Sequence, residues 1–222
     1  MFICIEGLDA SGKNTQAKLL ADRLQPSVLF SFHRYDTPLG ALIKRHLMGH
    51  VALREEHSID SSDHRIDGDT VYRVARQDPL MFQCLATIDK YDAANDIRAA
   101  QAEGKHIVCD RYMQSALAYG MADGLDKEWL KRIQSSLPVP DLNLFIDVTE
   151  EEALKRRPQL RDRYEKDREK QRVVRQMYQD IWSMGLPGRW VTVPGHLSVE
   201  QVHDVIWGEV QKSVAAAVRG KR

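Results

Sequence analysis

The chain has 222 residues, enough for one domain with a substantial buried core. Lysine and arginine balance aspartate and glutamate at 32 residues each, so the formal net charge is zero. A protein that grips duplex nucleic acid usually carries a basic excess, so the balance favours small-molecule ligands and no nucleic acid is expected as a partner. No apolar run approaches membrane-spanning length, so no membrane partner is expected either.

The cysteines and the first residues of the chain indicate a compartment. Cys4, Cys84 and Cys109 form no C-x-x-C pair, and two of them lie in predicted strands. The sequence opens directly into an apolar strand rather than into a signal peptide. These features predict a cytoplasmic protein.

A glycine-rich loop follows the first predicted strand. The apolar run from Phe2 stops at Gly7, and apolar residues at helical spacing begin after Gly12. The segment between them matches G-x-x-x-x-G-K, a loop whose N–H groups cradle nucleotide phosphates while its lysine, Lys13, reaches the outer phosphates. A glycine turn that binds nothing is the alternative, but the strand–loop–helix context favours a nucleotide. The residues expected to bind ATP are Gly7, Ala10, Ser11, Gly12, Lys13, Asn14 and Thr15.

The residue after the lysine departs from the usual pattern. Serine or threonine commonly holds Mg²⁺ there, whereas this chain has Asn14 followed by Thr15. The amide oxygen of Asn14 accepts a metal ion or a metal-bound water, but it supplies no hydroxyl. We expect Mg²⁺ as a cofactor, with Asn14 near it and ATP as the phosphoryl donor.

The remaining chain alternates strands and helices. Further strands are expected at residues 27–32, 105–110, 143–147 and 190–193. One helix is expected to follow the turn at residues 33–40 and to run through residue 47. Further helices are expected at 80–103, 115–121 and 127–137. Three more are expected, one that starts at 149, one that includes 178–182 and one that starts at 198. This alternation predicts a doubly wound α/β fold, in which a parallel sheet is covered on both faces and ligands bind at the carboxyl ends of its strands.

One polar segment interrupts the alternation. Residues 54–78 are rich in aspartate and have no sustained period, which predicts a long surface excursion. Their acidic residues lack EF-hand spacing and its closing glutamate, so a solvated loop is favoured over a metal-binding loop.

Four ordered motifs make the chain resemble the thymidylate kinase family of nucleoside monophosphate kinases over roughly residues 2–194. The motifs are Glu6-Gly7-Leu8-Asp9 with Gly12-Lys13 and Thr15-Gln16, Asp110-Arg111-Tyr112 with Ser115 and Tyr119, Pro140-Asp141-Leu142 with Phe145, and Arg163-Tyr164-Glu165 with Arg172 and Arg175. The resemblance implies one P-loop kinase domain across residues 1–222, with a helical lid at 155–165. It also implies phosphorylation of a deoxynucleoside 5′-monophosphate by ATP, dTMP to dTDP, and we expect a homodimer.

Two alternatives to that activity remain open. One is a kinase of the same fold that acts on another or a modified deoxynucleotide. The other is a non-catalytic nucleotide-binding protein with a decayed phosphate loop, which only Asn14 favours. The intact Arg111 and the arginine-rich lid segment count against decay, because a passive binder needs neither.

The resemblance assigns several residues to the acceptor nucleotide. Arg111 offers a bidentate fork for the acceptor phosphate, and Asp9 is expected near the sugar 3′-hydroxyl or the phosphate. Tyr119 falls where the family places an aromatic ring under the sugar, although core packing is an equal alternative. Arg34 lies in a turn resembling the acceptor-phosphate loop, in a register loose by one residue. Tyr164 is a further expected substrate contact.

Two more sets of residues are expected to act on the phosphates. Asp110 ends a predicted buried strand, where a carboxylate either helps to hold Mg²⁺ or orients Arg111.

Some family members carry an arginine at the position of Ala10, whereas others supply it from the lid. The resemblance therefore implies a catalytic lid arginine here, with Arg156 and Arg161 preferred, and such a residue raises rates by roughly 10³-fold or more. A solvated charged helix is the alternative for this segment.

The chain departs from the family at the expected base site. Family members typically carry a phenylalanine that stacks on thymine and, four residues later, an arginine that hydrogen-bonds it. Ala86 or Leu85 occupies the first position here, and Lys90 or Asp89 the second.

Phe82 lies one helical turn before Ala86, on a face shared with Gln83, Thr87 and Lys90. We expect these residues to bound a base pocket in which Phe82 stacks and Gln83 reads a base edge, with a specificity relaxed or shifted from strict thymine. The alternative is that Phe82 is an ordinary core residue and that Gln83 merely caps a polar patch.

Overall fold

The computed structural model describes residues 1–47, 78–156, 167–184 and 186–219. Its strands are β1 (Phe2–Gly7), β2 (Ser27–Ser31), β3 (His106–Asp110), β4 (Leu142–Asp147) and β5 (Arg189–Pro194). Its helices are α1 (Lys13–Arg23), α2 (Pro38–Leu47), α3 (Pro79–Ala102), α4 (Met113–Ala122), α5 (Lys127–Ile133), α6 (Glu150–Arg156), α7 (Arg168–Ile181) and α8 (Val199–Arg219). The predicted excursion at residues 54–78 lies outside the described residues except for Asp78, and the predicted lid at 155–165 except for Lys155 and Arg156.

The described strands pair in parallel, in the order β2-β3-β1-β4-β5. The central strand β1 is buried along its whole length, which explains why its sequence is a nearly continuous apolar run rather than an alternating one. The predicted α/β class and parallel sheet are confirmed.

Helices cover both faces of the sheet. On one face, Leu20 of α1 and Ile206 of α8 pack against the apolar side chains of β1 and β4. On the other face, Ile97 of α3 packs beneath β1 and β3. A third cluster joins α2, α3, α4 and α7 around Leu8 and Phe145, directly below the carboxyl edge of the sheet.

The long helix α3 begins as its sequence predicts. Pro79 occupies the first turn, and the Asp78 carboxylate accepts hydrogen bonds from the N–H groups of Leu80 and Met81. The helix therefore starts at a defined point, which fixes which of its side chains face the sheet edge.

The prediction of a helix over residues 127–137 was too long. Helix α5 ends at Ile133, and the following turns are closed by tighter bonds, from Gln134 N–H to the Lys131 carbonyl and from Leu137 N–H to the Gln134 carbonyl. Leu137 is buried against the core by these turns, so an apolar residue at helical spacing was misread as helix.

Candidate active site

Two loops meet at the carboxyl ends of the central strands. Ile5 of β1 lies beside Asp110 of β3 in the parallel register, so the segments that follow these strands emerge side by side. The predicted phosphate loop follows β1, and Arg111 follows β3. Open α/β sheets bind ligands at this edge, which locates the candidate site.

The phosphate loop has the backbone of an anion site. Gly12 adopts a left-handed φ of 93° at the start of α1, and Ala10 a φ of 59°. No side chain within the described residues caps α1 at Gly12, so the N–H groups of the first turn remain available to phosphate oxygens. Positive φ is costly for alanine, and such strain concentrates at functional sites. The predicted ATP-binding residues form this loop and first turn.

Lys13 is buried behind the loop. Its ammonium donates to the Leu8 carbonyl at 3.1 Å and to the Asp9 carboxylate at 3.5 Å. Burial lowers the pKa of Lys13, and Arg111 lowers it further, while Asp9 and other nearby acidic side chains oppose the shift. The anionic partner of the Lys13 ammonium is the Asp9 carboxylate, at 3.5 Å. A bound phosphate group would supply a second anionic partner.

Arg111 and Asp9 form a partly buried ion pair at the base of the site. Arg111 Nη2 donates to Asp9 Oδ1 at 2.6 Å, and the Tyr119 hydroxyl donates to Asp9 Oδ2 at 3.2 Å. Burial alone would raise the pKa of Asp9, but Arg111 and Lys13 hold it well below its ordinary value. Burial alone would lower the pKa of Arg111, but Asp9 raises it well above its ordinary value. Both groups therefore stay charged at neutral pH.

Tyr119 also stacks near the arginine, with the guanidinium carbon 5.3 Å from the centre of its ring. The structure therefore brings together four residues far apart in the chain that the sequence analysis assigned to the nucleotides: Asp9, Lys13, Arg111 and Tyr119. Their roles toward a nucleotide remain predictions.

A buried network behind Arg111 was missed as a site. Glu6 accepts hydrogen bonds from the N–H groups of Tyr112 and Ser115, from Ser115 Oγ at 2.6 Å and from the Tyr178 hydroxyl at 2.9 Å. Arg111 Nη1 in turn donates to Ser115 Oγ at 3.2 Å and to the Tyr178 hydroxyl at 3.3 Å. One signal was present in the sequence: Glu6 is the charged residue of an otherwise apolar buried strand, so it required donors.

Asp110 and Asn14 fit a magnesium ion. Asp110 Oδ2 accepts from Asn14 Nδ2 at 3.0 Å, whereas Asp110 Oδ1 is buried without a partner among the described residues. The Asn14 amide uses its nitrogen in this bond, which leaves its oxygen as an acceptor. The described residues contain no cluster of three or more His, Cys, Asp or Glu side chains suited to a metal.

Asp110 does not orient Arg111. In the described structure Arg111 is bonded to Asp9, and Asp110 to Asn14. Of the two roles considered for Asp110, the geometry favours the metal.

Arg156 lies between two loops at the end of α6. Its guanidinium donates to the Ser11 carbonyl at 3.3 Å, to the Gly195 carbonyl at 2.6 Å and, through Nε, to Glu152 at 3.2 Å. All three nitrogens are therefore engaged, and the side chain ties the phosphate loop to the segment after β5. Catalysis by Arg156 itself remains a prediction, and Arg161 and Tyr164 lie outside the described residues.

Arg34 is held by α3 and is not part of the cavity wall described next. It donates to Asp89 Oδ1 at 2.9 Å, to the Asp89 carbonyl at 2.9 Å and to Asp92 at 2.6 Å. Gly40 makes this turn possible, because a Cβ there would lie 1.8 Å from the Arg34 carbonyl oxygen. The acceptor-phosphate role of Arg34 stays a prediction that this geometry does not favour.

One cavity opens against the Arg111–Asp9 pair, and α3 forms a second part of its wall. Phe82, Gln83 and Lys90 line it as the sequence predicted, and Ala86 lines it between them. Thr87 is buried on the same helix but does not line the cavity.

Phe82 serves the cavity wall and the core together. Its ring stacks on His46 at a centroid distance of 5.9 Å and meets His33 edge-on at 5.7 Å. It belongs to the apolar cluster below the sheet edge. The core packing considered for Phe82 is therefore present, and stacking on a base remains a prediction.

These features define a class. A strand–loop–helix phosphate site lies beside a partly buried arginine–aspartate pair, and a separate cavity opens against that pair. This is the arrangement of a P-loop nucleoside monophosphate kinase.

Comparison with known proteins narrows the class. A family model described as thymidylate kinase matches residues 5–60 and 70–206. The chain is 35% identical to a probable thymidylate kinase of Pyrococcus horikoshii, over 92% of this chain and 93% of that protein. It is 33% identical to the thymidylate kinase of Thermomicrobium roseum, over 100% of this chain and 98% of that one.

A solved structure agrees with these sequence matches. The structure of thymidylate kinase from Candida albicans matches with a TM-score of 0.72 at 29% identity, covering 96% of this chain and 92% of that one. The chain belongs to the thymidylate kinase family, so it is a nucleotide-binding transferase. None of the helices in the described ranges is both long enough and apolar enough to cross a membrane.

Proposed function

We propose that the enzyme transfers the γ-phosphoryl group of ATP to dTMP, giving dTDP and ADP. Family membership supports the reaction, because relatives that match nearly the whole chain are named thymidylate kinase or probable thymidylate kinase. The observation that carries the proposal is the cavity beside Arg111, whose wall also includes Asp9 of the phosphate loop. An acceptor there would lie next to the donor site, as phosphoryl transfer requires.

The donor side would be formed by the phosphate loop. N–H groups of the first turn of α1 and the Lys13 ammonium would bind the outer phosphates of ATP. Mg²⁺, when bound, neutralises phosphate charge, and Asp110 and Asn14 are the residues that would hold it through oxygen atoms or bound water. Arg156 would keep the loop in place through the Ser11 carbonyl.

The acceptor side would be organised by Arg111. Its Nη1 bonds two neutral hydroxyls, those of Ser115 and Tyr178, so the acceptor phosphate would supply a second anionic partner besides Asp9. The attacking group is already a phosphate oxygen, so no general base is needed. Charge on the transferring group would be neutralised by Lys13 and by an arginine of the proposed lid, with Arg161 preferred because Arg156 is engaged by two loops.

Assembly and compartment complete the proposal. We infer a homodimer, supported by exposed apolar side chains on α3, Leu80, Met81 and Ile88. The cysteines are free thiols, which supports a reducing compartment such as the cytoplasm.

A coupled assay of ADP release tests the activity. Purified enzyme with ATP and Mg²⁺ is offered each deoxy- and ribonucleoside monophosphate, and dTMP is expected to give the highest kcat/KM. Lys13→Ala should lower kcat at least 10³-fold or so, because it removes charge neutralisation at the transferring phosphate. Lys18→Ala, an exposed lysine of the same helix, is the matched control and should retain wild-type rates.

The outcomes separate the alternatives. Preference for another nucleotide would identify a kinase of the same fold with a different substrate. ATP binding without turnover on any acceptor would identify a non-catalytic nucleotide-binding protein and overturn the proposal.

A further inference from the structure

Three polar residues of α3 lie on one helix face, and two of them, Gln83 and Lys90, line the cavity. Gln83, Thr87 and Lys90 follow the i, i+4, i+7 spacing of a single face, and each is at most 4% exposed. Polar side chains are rarely buried this deeply unless their hydrogen-bonding groups are satisfied.

The polar groups of these three side chains have few hydrogen-bond partners. Both amide atoms of Gln83 and the hydroxyl of Thr87 have no hydrogen-bond partner among the described residues. Lys90 Nζ donates to the Ala86 carbonyl at 2.9 Å, one bond for a group with three donors. Burial of unsatisfied polar groups is unfavourable for folding, so they indicate a site that a ligand completes.

The cavity wall sorts into two kinds of surface. Arg111, Asp9 and Tyr119 form a polar, charged part suited to phosphate and sugar. Helix α3 contributes the aromatic ring of Phe82 and the carboxamide of Gln83, with the Lys90 side chain beside them. A nucleotide whose phosphate meets Arg111 would therefore direct its base toward α3.

The carboxamide of Gln83 matches one base pattern in particular. It offers an acceptor oxygen beside a donor nitrogen, and thymine and uracil offer a ring N–H beside a carbonyl oxygen. These two edges pair through two hydrogen bonds. Lys90 adds a donor for a second carbonyl of the same base.

We propose that Gln83 is the residue that reads the base, by pairing its carboxamide with the ring N–H and an adjacent carbonyl of a 4-oxopyrimidine. This inference deepens the proposed function, because it assigns base recognition within the same acceptor site. The proposal predicts two measurable effects of replacing Gln83, one on the thermal stability of the free enzyme and one on its preference between substrates.

In the free enzyme, Gln83→Met should raise the thermal midpoint. Methionine has nearly the same shape as glutamine. The substitution removes the two buried amide atoms of Gln83, which have no hydrogen-bond partner among the described residues. A residue that merely supports the fold would show the opposite change. Gln101→Met, on the exposed end of the same helix, is the control and should leave the midpoint unchanged.

In catalysis, the test pairs this variant with a changed substrate. The wild-type enzyme and Gln83→Met are each given dTMP and the 5′-monophosphate of the 2,4-difluorotoluene deoxynucleoside, which has the shape of thymine without its hydrogen-bonding edge. Wild-type enzyme should prefer dTMP by about 10- to 100-fold in kcat/KM. In Gln83→Met the preference should fall to within about threefold, with KM for ATP unchanged.

The two failures are distinguishable. Absence of dTMP phosphorylation by wild-type enzyme would reject the proposed function. Normal dTMP phosphorylation with the same preference in both proteins, or a lowered thermal midpoint of Gln83→Met, would reject Gln83 as the base reader and leave the kinase activity standing.

Discussion

Lys90 shows how a single buried residue couples the acceptor cavity to stability. Burial lowers its pKa from an ordinary 10.5 to about 8, although Asp89, Glu6 and Cys4 act in the opposite direction. Between these two values the unfolded chain binds the proton more readily than the folded protein, so stability rises with pH through this window. Below about pH 8 the folded state carries the full cost of a buried ammonium, about 3 kcal/mol for a shift of this size.

We therefore expect Lys90→Met to be more stable than wild-type protein at pH 7, by up to about 3 kcal/mol. The advantage should shrink as pH rises from 8 toward 10.5, because wild-type protein loses the buried charge over that range. Urea unfolding of both proteins at pH 7, 8.5 and 10 measures the difference, and Lys18→Met provides an exposed lysine for comparison. A difference that does not vary with pH would contradict a depressed pKa.

The residues that the sequence placed correctly are those whose position follows from strand ends. Arg111 comes directly after β3, and Lys13 follows the short loop after β1. The two strands are neighbours in a parallel sheet, so their adjacent carboxyl ends bring these residues close together without further information. Arg34 could not be placed this way, because its orientation depends on Asp89, 55 residues later on another element. The partner of a long side chain depends on the tertiary structure, and the spacing of residues in the sequence does not predict it.

Helix α7 contributes one side chain that connects distant parts of the site. The Tyr178 hydroxyl lies 2.8 Å from Ser115 Oγ, 2.9 Å from Glu6 Oε2 and 3.3 Å from Arg111 Nη1. Because α7 follows the proposed lid in the chain, this hydroxyl links the lid's C-terminal neighbour to the arginine of the acceptor site.

Tyr178→Phe should raise KM for dTMP by about tenfold and leave KM for ATP unchanged. The substitution keeps the ring packed on Phe145 and removes only the hydroxyl that positions Arg111, a loss comparable to one hydrogen bond to a charged group. Steady-state kinetics with each substrate varied in turn measures both constants. Tyr91→Phe, which deletes a hydroxyl near the surface, is the control, and equal rises in both KM values would contradict a positioning role.

At the scale of elements, the described strands and helices could be predicted because alternating apolar runs and helical periods identify βα units. The boundary after Ile133 could not, since an apolar residue that packs from a turn has the same spacing as one that packs from a helix. Tyr178 illustrates a further limit. Its helix was predicted, but whether a tyrosine hydroxyl meets a buried glutamate depends on how α7 packs against α4.

At the scale of the whole molecule, the proposed dimer and the acceptor cavity involve the same helix. Leu80, Cys84 and Ile88 of α3 follow one another at intervals of four residues, and Leu80 and Ile88 are 49% and 51% exposed. Together with Met81 they form an apolar stripe on one side of α3, whereas Gln83 and Lys90 are buried on another. A second copy that packs on this stripe would hold the helix that carries the base site.

We expect wild-type protein at micromolar concentration to sediment with twice the 25.4 kDa mass of the chain. Ile88→Glu should shift it to the monomer mass, because a charge in the middle of an apolar interface is desolvated without a partner. Val214→Glu, at an exposed apolar position on α8, is the matched control and should remain dimeric. Sedimentation velocity decides between them: a wild-type monomer, or an Ile88→Glu protein that sediments like wild type, would show that this stripe is not the interface. If the dimer holds α3 in place, Ile88→Glu should also weaken dTMP binding more than ATP binding, since α3 lines the acceptor cavity and the phosphate loop precedes α1.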